Sequence, residues 1–166
     1  MTLSVGDTAP DFTLKNQHGQ EISLSGLRGK PVVVVFFPFA FTGICTSELC
    51  EIRDNLSVFT EQGAVVLAIS CDAVFSNRVF SDQEGYTFDV LSDFWPHGAV
   101  SQAYGVFEEG AGAARRASFL VDPEGIVRWT VDNPLGEARE FAGYKEALAA
   151  LDLFSEMRCK VSQNAI

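Results

Sequence analysis

Basic residues are scarce in this chain of 166 residues: 12 Lys and Arg stand against 22 Asp and Glu, for a formal net charge of −10. A phosphate backbone or an anionic membrane is therefore a poor partner, and the acidity otherwise serves solubility. Long apolar runs are also missing. The longest, Pro31 to Phe41, is far short of a membrane span and contains Pro38. The opening MTLSVGDTAP has neither the basic nor the apolar region of a secretory leader, so a cytoplasmic location is expected. Histidine occurs only at 18 and 97, in distant turn-like stretches, and no Cys-x-x-Cys pair exists, which argues against a zinc site. Four cysteines, at 45, 50, 71 and 159, are too few for a disulfide scaffold, so reduced or catalytic thiols are expected. No linker or low-complexity break interrupts the chain. One domain over residues 1–166 is expected, with 155–166 as a frayed tail.

What is present is the composition of a packed protein, 47% hydrophobic with 14 Phe. Two short alternating runs, Asp11 to Leu14 and Glu21 to Leu24, flank Asn16 to Gly19 and read as an N-terminal hairpin, with His18 as a turn residue. Val32 to Phe37 is continuously apolar and rich in β-branched residues, as in a strand covered on both faces. Leu49, Ile52, Leu56 and Phe59 then recur at helical spacing, predicting a helix from Cys45 to about Thr60. A second buried strand follows at Ala64 to Ser70, then a helix at Val74 to Glu84 with Gly85 suited to its C-terminal cap. Further along lie a short strand at Phe88 to Leu91, a loop from Ser92 to Gly98, and a short helix from Ala99 to Tyr104. Ser118 to Val121 and Ile126 to Val131 flank Asp122-Pro123-Glu124-Gly125, a hairpin signal, and Glu137 to Glu156 reads as a closing amphipathic helix. This alternation predicts an α/β fold with a central mixed sheet flanked by helices.

Chemistry is expected where the strand at 32–37 turns into the helix. Cys45 would sit in the first turn of that helix, where unpaired N–H groups and the positive end of the helix dipole favour a thiolate. Thr42 offers a hydroxyl to that thiolate or to an oxygen beside it. The competing reading is a buried structural cysteine, which the apolar neighbours Phe41 and Ile44 favour, and position alone leaves the two even. Arg115 and Arg116, just before the hairpin, read from position alone as a solvated surface pair. Cys71, at a strand end, reads as a small core residue, and Cys159 as an exposed thiol. His97 reads as a polar loop residue, and Phe94 and Trp95 as pocket or subunit-contact aromatics.

Pro38-x-x-x-Thr42-x-x-Cys45 resembles the active-site pattern of the peroxiredoxins, thiol peroxidases on a thioredoxin-like fold. FFPFAFTGIC, SDFWPHGAVSQAYGVF, Arg116-x-Ser118-Phe119 and the early APDFTL are similar, in order, to the AhpE-like group, over roughly Val5 to Leu151. The resemblance implies a thiol-dependent peroxidase that needs no cofactor or metal and reduces hydrogen peroxide and alkyl hydroperoxides through a sulfenic acid at Cys45. It implies Thr42, Arg116 and the Cys45 N–H as stabilisers of the charge passing to oxygen, Pro38 as a shaper of the pocket and Glu48 as the holder of the arginine. It also implies homodimerisation through the loops around Phe41 and Trp95.

Cys50 departs from the AhpE-like pattern. Residues five apart in an α-helix have Cα atoms roughly 8 to 9 Å apart, beyond the ~7 Å a disulfide tolerates, so Cys45 and Cys50 cannot join while the helix is intact. The spacing CTSELC resembles instead the bacterioferritin-comigratory-protein branch, which implies that Cys50 resolves the sulfenic acid after local unwinding, with recycling by a thioredoxin-like dithiol. Two rivals stand beside this reading. A thioredoxin-like disulfide reductase needs a second cysteine three residues from the first, where Thr42 and Glu48 stand. A non-catalytic binding or chaperone-like module on the same fold is the other.

Overall fold

A computed structural model describes residues 1–163. Its centre is β3 (Val32–Phe36), in which every side chain is buried. Val33, Val35 and Phe37 pack into one apolar cluster, and Val32, Val34 and Phe36 into another on the opposite face. The unbroken apolar run is thus the signature of a strand with a core on each side.

Around it the seven-stranded sheet has the order β2-β1-β5-β4-β3-β8-β9, with β1 Thr13–Lys15, β2 Glu21–Ser23, β4 Val65–Ser70, β5 Asp89–Ser92, β8 Arg116–Val121 and β9 Val127–Asn133. β3, β4 and β5 run parallel, while β8 pairs antiparallel with β3 and β9 with β8. The N-terminal hairpin does not stand apart. It joins the sheet edge through Lys15 opposite Ser92.

Helices α1 (Gly43–Asp54), α2 (Ser57–Thr60), α3 (Val74–Glu84) and α5 (Ala142–Gln163) send Leu49, Ile52, Phe59, Phe80, Tyr144, Leu148 and Leu151 into the first cluster. Tyr104, just after α4 (Ala99–Ala103), packs in the second, where its ring meets Phe36 and Phe119. The architecture is a thioredoxin-like α/β sandwich with a mixed central sheet.

Several boundaries differ from those read in the sequence. The helix expected to run from Cys45 to Thr60 stops at Asp54, because the Asn55 side chain donates to Glu51 O and its N–H is shared between Glu51 O and Ile52 O. A separate turn, α2, then buries Phe59. The closing helix begins at Ala142 rather than Glu137, and the Arg139 backbone N–H ahead of it is bonded to the Glu48 carboxylate. It also continues to Gln163, with exposed side chains from Asp152 to Ser162, where a frayed tail was expected; residues 164–166 of that tail lie outside the described residues. A two-stranded hairpin, β6 (Phe107–Glu108) with β7 (Ala113–Ala114), had no clear sequence signal.

Candidate active site

Thr42 is the N-cap of α1 with an extended backbone, and the helical ladder starts with Thr46 N–H donating to Thr42 O at 2.9 Å. Cys45 is the last residue before that first bond, so its N–H lies among the unpaired donors of the helix start. The turn leading there is strained. Phe41 has φ 66°, a left-handed conformation that costs a bulky residue roughly 1–3 kcal/mol, and its ring rests on Phe80 with centroids 5.1 Å apart. Asp72, just beyond β4, accepts the Ala40 N–H at 2.9 Å and holds the same turn.

Cys45 is 0% exposed. Arg116, at the start of β8, donates from Nη1 to Cys45 Sγ at 3.2 Å and to Glu48 Oε1 at 2.7 Å, while its Nε donates to Leu135 O at 2.6 Å. Glu48 lies one turn after Cys45 on α1 and is itself buried. A second guanidinium holds its other side: Arg139 donates from Nε to Glu48 Oε2 at 2.9 Å, from Nη2 to Oε1 at 3.1 Å, and from its backbone N–H to Oε2 at 2.8 Å. Arg139 Nη1 also reaches Phe36 O, Ala117 O and Ser118 Oγ, and Ser118 Oγ lies 2.8 Å from the Tyr144 hydroxyl.

Burial opposes ionisation of Glu48, but the hydrogen bonds and charge of Arg139, with the Arg116 hydrogen bond, overcome it and hold the carboxyl below its ordinary value. The cluster therefore contains two buried cations and one buried anion. Through Arg116 this net positive charge stands in hydrogen-bond contact with the Cys45 sulfur. Such a site can hold a sulfur anion and a polarised oxygen together.

Comparison with known proteins decides the family. Residues 5–130 match the model of the AhpC/TSA family. The chain belongs to that family. It is a peroxiredoxin, and thus a thiol-dependent peroxidase. It is similar to alkyl hydroperoxide reductase E of Mycobacterium tuberculosis, with 52% identity over 150 residues, 90% of this chain and 98% of the relative. A peroxiredoxin named bcp from Haemophilus influenzae is 39% identical over 136 residues, 78% of this chain and 86% of the relative. Among solved structures, peroxidoxin BcpB of Mycobacterium tuberculosis superimposes with a TM-score of 0.78 at 31% identity, covering 91% of this chain and 97% of the other. AhpC of Enterococcus faecalis gives 0.85 at 26% identity, covering 94% and 96%.

In this peroxiredoxin the motif residues fall as follows. Arg116 touches both Cys45 and Glu48, and Pro38 is buried just past the end of β3. The Thr42 hydroxyl is three residues away but donates to Phe39 O at 2.9 Å. Cys50 lies on the same unbroken helix as Cys45, both thiols are free, and the Cys50 thiol donates to Glu84 Oε2 at 3.4 Å. Cys71 is buried beside Ser101; burial and the nearby Asp93 carboxylate push its thiol up to about 11. His97 is spent on the β6–β7 region, with Nε2 2.7 Å from Gly112 O. Arg139 is the residue that sequence reading missed. Its only signal was an arginine inside an apparently amphipathic segment, which looked like the polar face of a helix.

Proposed function

We propose that this peroxiredoxin reduces hydrogen peroxide and alkyl hydroperoxides with Cys45 as its peroxidatic thiolate. The observation that carries the reading is the 3.2 Å contact from Arg116 Nη1 to Cys45 Sγ inside a buried cluster whose other charges sum to plus one. The thiolate attacks the nearer peroxide oxygen, the O–O bond breaks, and Cys45 becomes a sulfenic acid while the leaving oxygen takes a proton. Arg116 bridges sulfur and oxygen, the Cys45 N–H donates to the developing negative charge, and Thr42 turns its hydroxyl from Phe39 O to the same oxygen. Pro38 shapes the pocket. Glu48, gripped by Arg139, keeps Arg116 aimed at the sulfur.

Cys50 then resolves the sulfenic acid. Within α1 the two Cα atoms are roughly 8 to 9 Å apart, so the first turns of α1 open before the disulfide closes. A thioredoxin-like dithiol restores both thiols by exchange. Exposed Phe41 and Trp95, at 53% and 82%, favour a homodimer formed through their loops. Free cysteines and the lack, among the described residues, of a helix able to cross a membrane favour work in the cytoplasm.

Replacing Cys45 with Ser removes the nucleophile, so peroxide consumption by the reduced protein should vanish; undiminished consumption would overturn the assignment.

A further inference from the structure

Cys50 is held in place by groups that take no part in the first oxidation. Its sulfur donates to Glu84 Oε2 at 3.4 Å and lies 3.7 Å from the Tyr86 hydroxyl. The same hydroxyl donates to Thr46 O at 3.5 Å. In an α-helix Thr46 O is the acceptor for the Cys50 N–H, four residues on. Tyr86 therefore touches both the side chain of Cys50 and the carbonyl to which its backbone is tied. One turn further, Arg53 Nη1 donates to Glu84 O, so the second half of α1 is fastened to the end of α3 at two points. Tyr86 cannot easily swing away: it is buried, its ring stacks on Phe88 at 5.0 Å, and Phe80 meets it edge-on at 5.2 Å. Burial, then the Cys50 contact, keeps the hydroxyl protonated and hence a donor.

Disulfide formation requires the opposite of this arrangement. The step is Cys45–S–OH plus Cys50–SH giving Cys45–S–S–Cys50 plus water: the S–O bond breaks, the S–S bond forms, and the thiol proton leaves with the hydroxide. Cys50 is oxidised as the sulfenic sulfur is reduced. Cys50 cannot reach Cys45 without leaving Tyr86 and Glu84 and without breaking its helical bond to Thr46 O.

We propose that Tyr86, with Glu84 and Arg53, is a latch that positions Cys50 and sets how fast the Cys45 sulfenic acid becomes a disulfide. The proposal rests on the reading of Cys50 as the resolving thiol. While the latch holds, the sulfenic acid persists, and a second peroxide molecule can add another oxygen and leave as water or alcohol, giving the sulfinic acid. Tyr86 is a positioning residue that governs the competition between these fates.

The test compares the full-length reduced wild type with Tyr86→Phe, which keeps the ring and deletes the hydroxyl. Val127→Ala serves as a control destabilised in the opposite core. Each is treated with one equivalent of hydrogen peroxide and quenched at short times, and mass mapping gives the rate of Cys45–Cys50 linkage relative to that of sulfenic acid formation. Loss of one such hydrogen bond should raise this ratio about two- to tenfold in Tyr86→Phe, with Val127→Ala at the wild-type ratio. In excess peroxide the Tyr86→Phe protein should also accumulate less sulfinic acid. An unchanged or lower ratio in Tyr86→Phe, or an equal rise in Val127→Ala, overturns the latch while leaving Cys50 as the resolving thiol. Absence of any Cys45–Cys50 link in the wild type overturns both.

Discussion

Glu48 is one carboxylate shared by two guanidiniums, and removing its charge leaves both cations buried with a weaker partner. Glu48→Gln should therefore lower stability by about 3–5 kcal/mol, checked by denaturant unfolding. The sign of its pH dependence follows from a folded value held below the ordinary 4.5. Its stabilisation is complete above that ordinary value and is lost as pH falls through the lower folded one, so the melting-temperature gap between wild type and Glu48→Gln should narrow on acidification. A gap that widens would contradict the ion-pair account. Cys71 gives a second residue-scale prediction. A thiol pushed up to about 11 by burial stays protonated near neutral pH, so a limiting alkylating reagent should label exposed Cys159 well before Cys71, as peptide mapping would show. Cys45 was legible because local spacing marks a helix start, whereas Arg116, 71 positions away, was singled out only through the family resemblance. Arg139, 91 positions from its partner, was not legible, because no motif carried it and its neighbours show helical periodicity.

At the scale of elements, α1 carries both the site and the obstacle to disulfide formation. It is an unbroken helix from Gly43 to Asp54, and Cys50 can reach Cys45 only if part of it opens. Strengthening its first turn should therefore slow that step. Gly43 has no atom within 4 Å of where a Cβ would stand, and Gly-to-Ala changes at such positions add about 0.4–1 kcal/mol. Gly43→Ala should slow Cys45–Cys50 linkage about two- to fivefold in rapid-quench experiments, and an accelerated linkage would contradict opening as the slow step. The strands and α3 were readable because a buried strand and a glycine-capped helix leave local signals, as at Val32 to Phe36 and at Gly85 with φ 69°. Helix ends set by side-chain competition were not. Asn55 divides one apolar period into two helices, and Arg139 meets Glu48 ahead of another.

At the scale of the whole molecule, several large apolar side chains stay exposed to solvent. Phe39, Phe41 and Ile44 flank the thiol in sequence, and Phe94 and Trp95 share a cleft with Val74 of α3. A dimer formed there would cover them, so Trp95→Glu should shift sedimentation towards the monomer, whereas an unaltered profile would place the interface elsewhere. In the sequence these residues are legible only as aromatic loops, since no periodic element presents them. The pairing of the two thiols of α1 can be read by intact mass and peptide mapping of the reduced protein after one equivalent of hydrogen peroxide, with a sulfenic-acid trap present in a parallel sample. The expected product is a protein lighter by two hydrogens with Cys45 linked to Cys50, preceded by a trappable oxygen on Cys45. Peroxide consumed with Cys45 unmodified, or a persistent oxygen on Cys45 with Cys50 free, would contradict it.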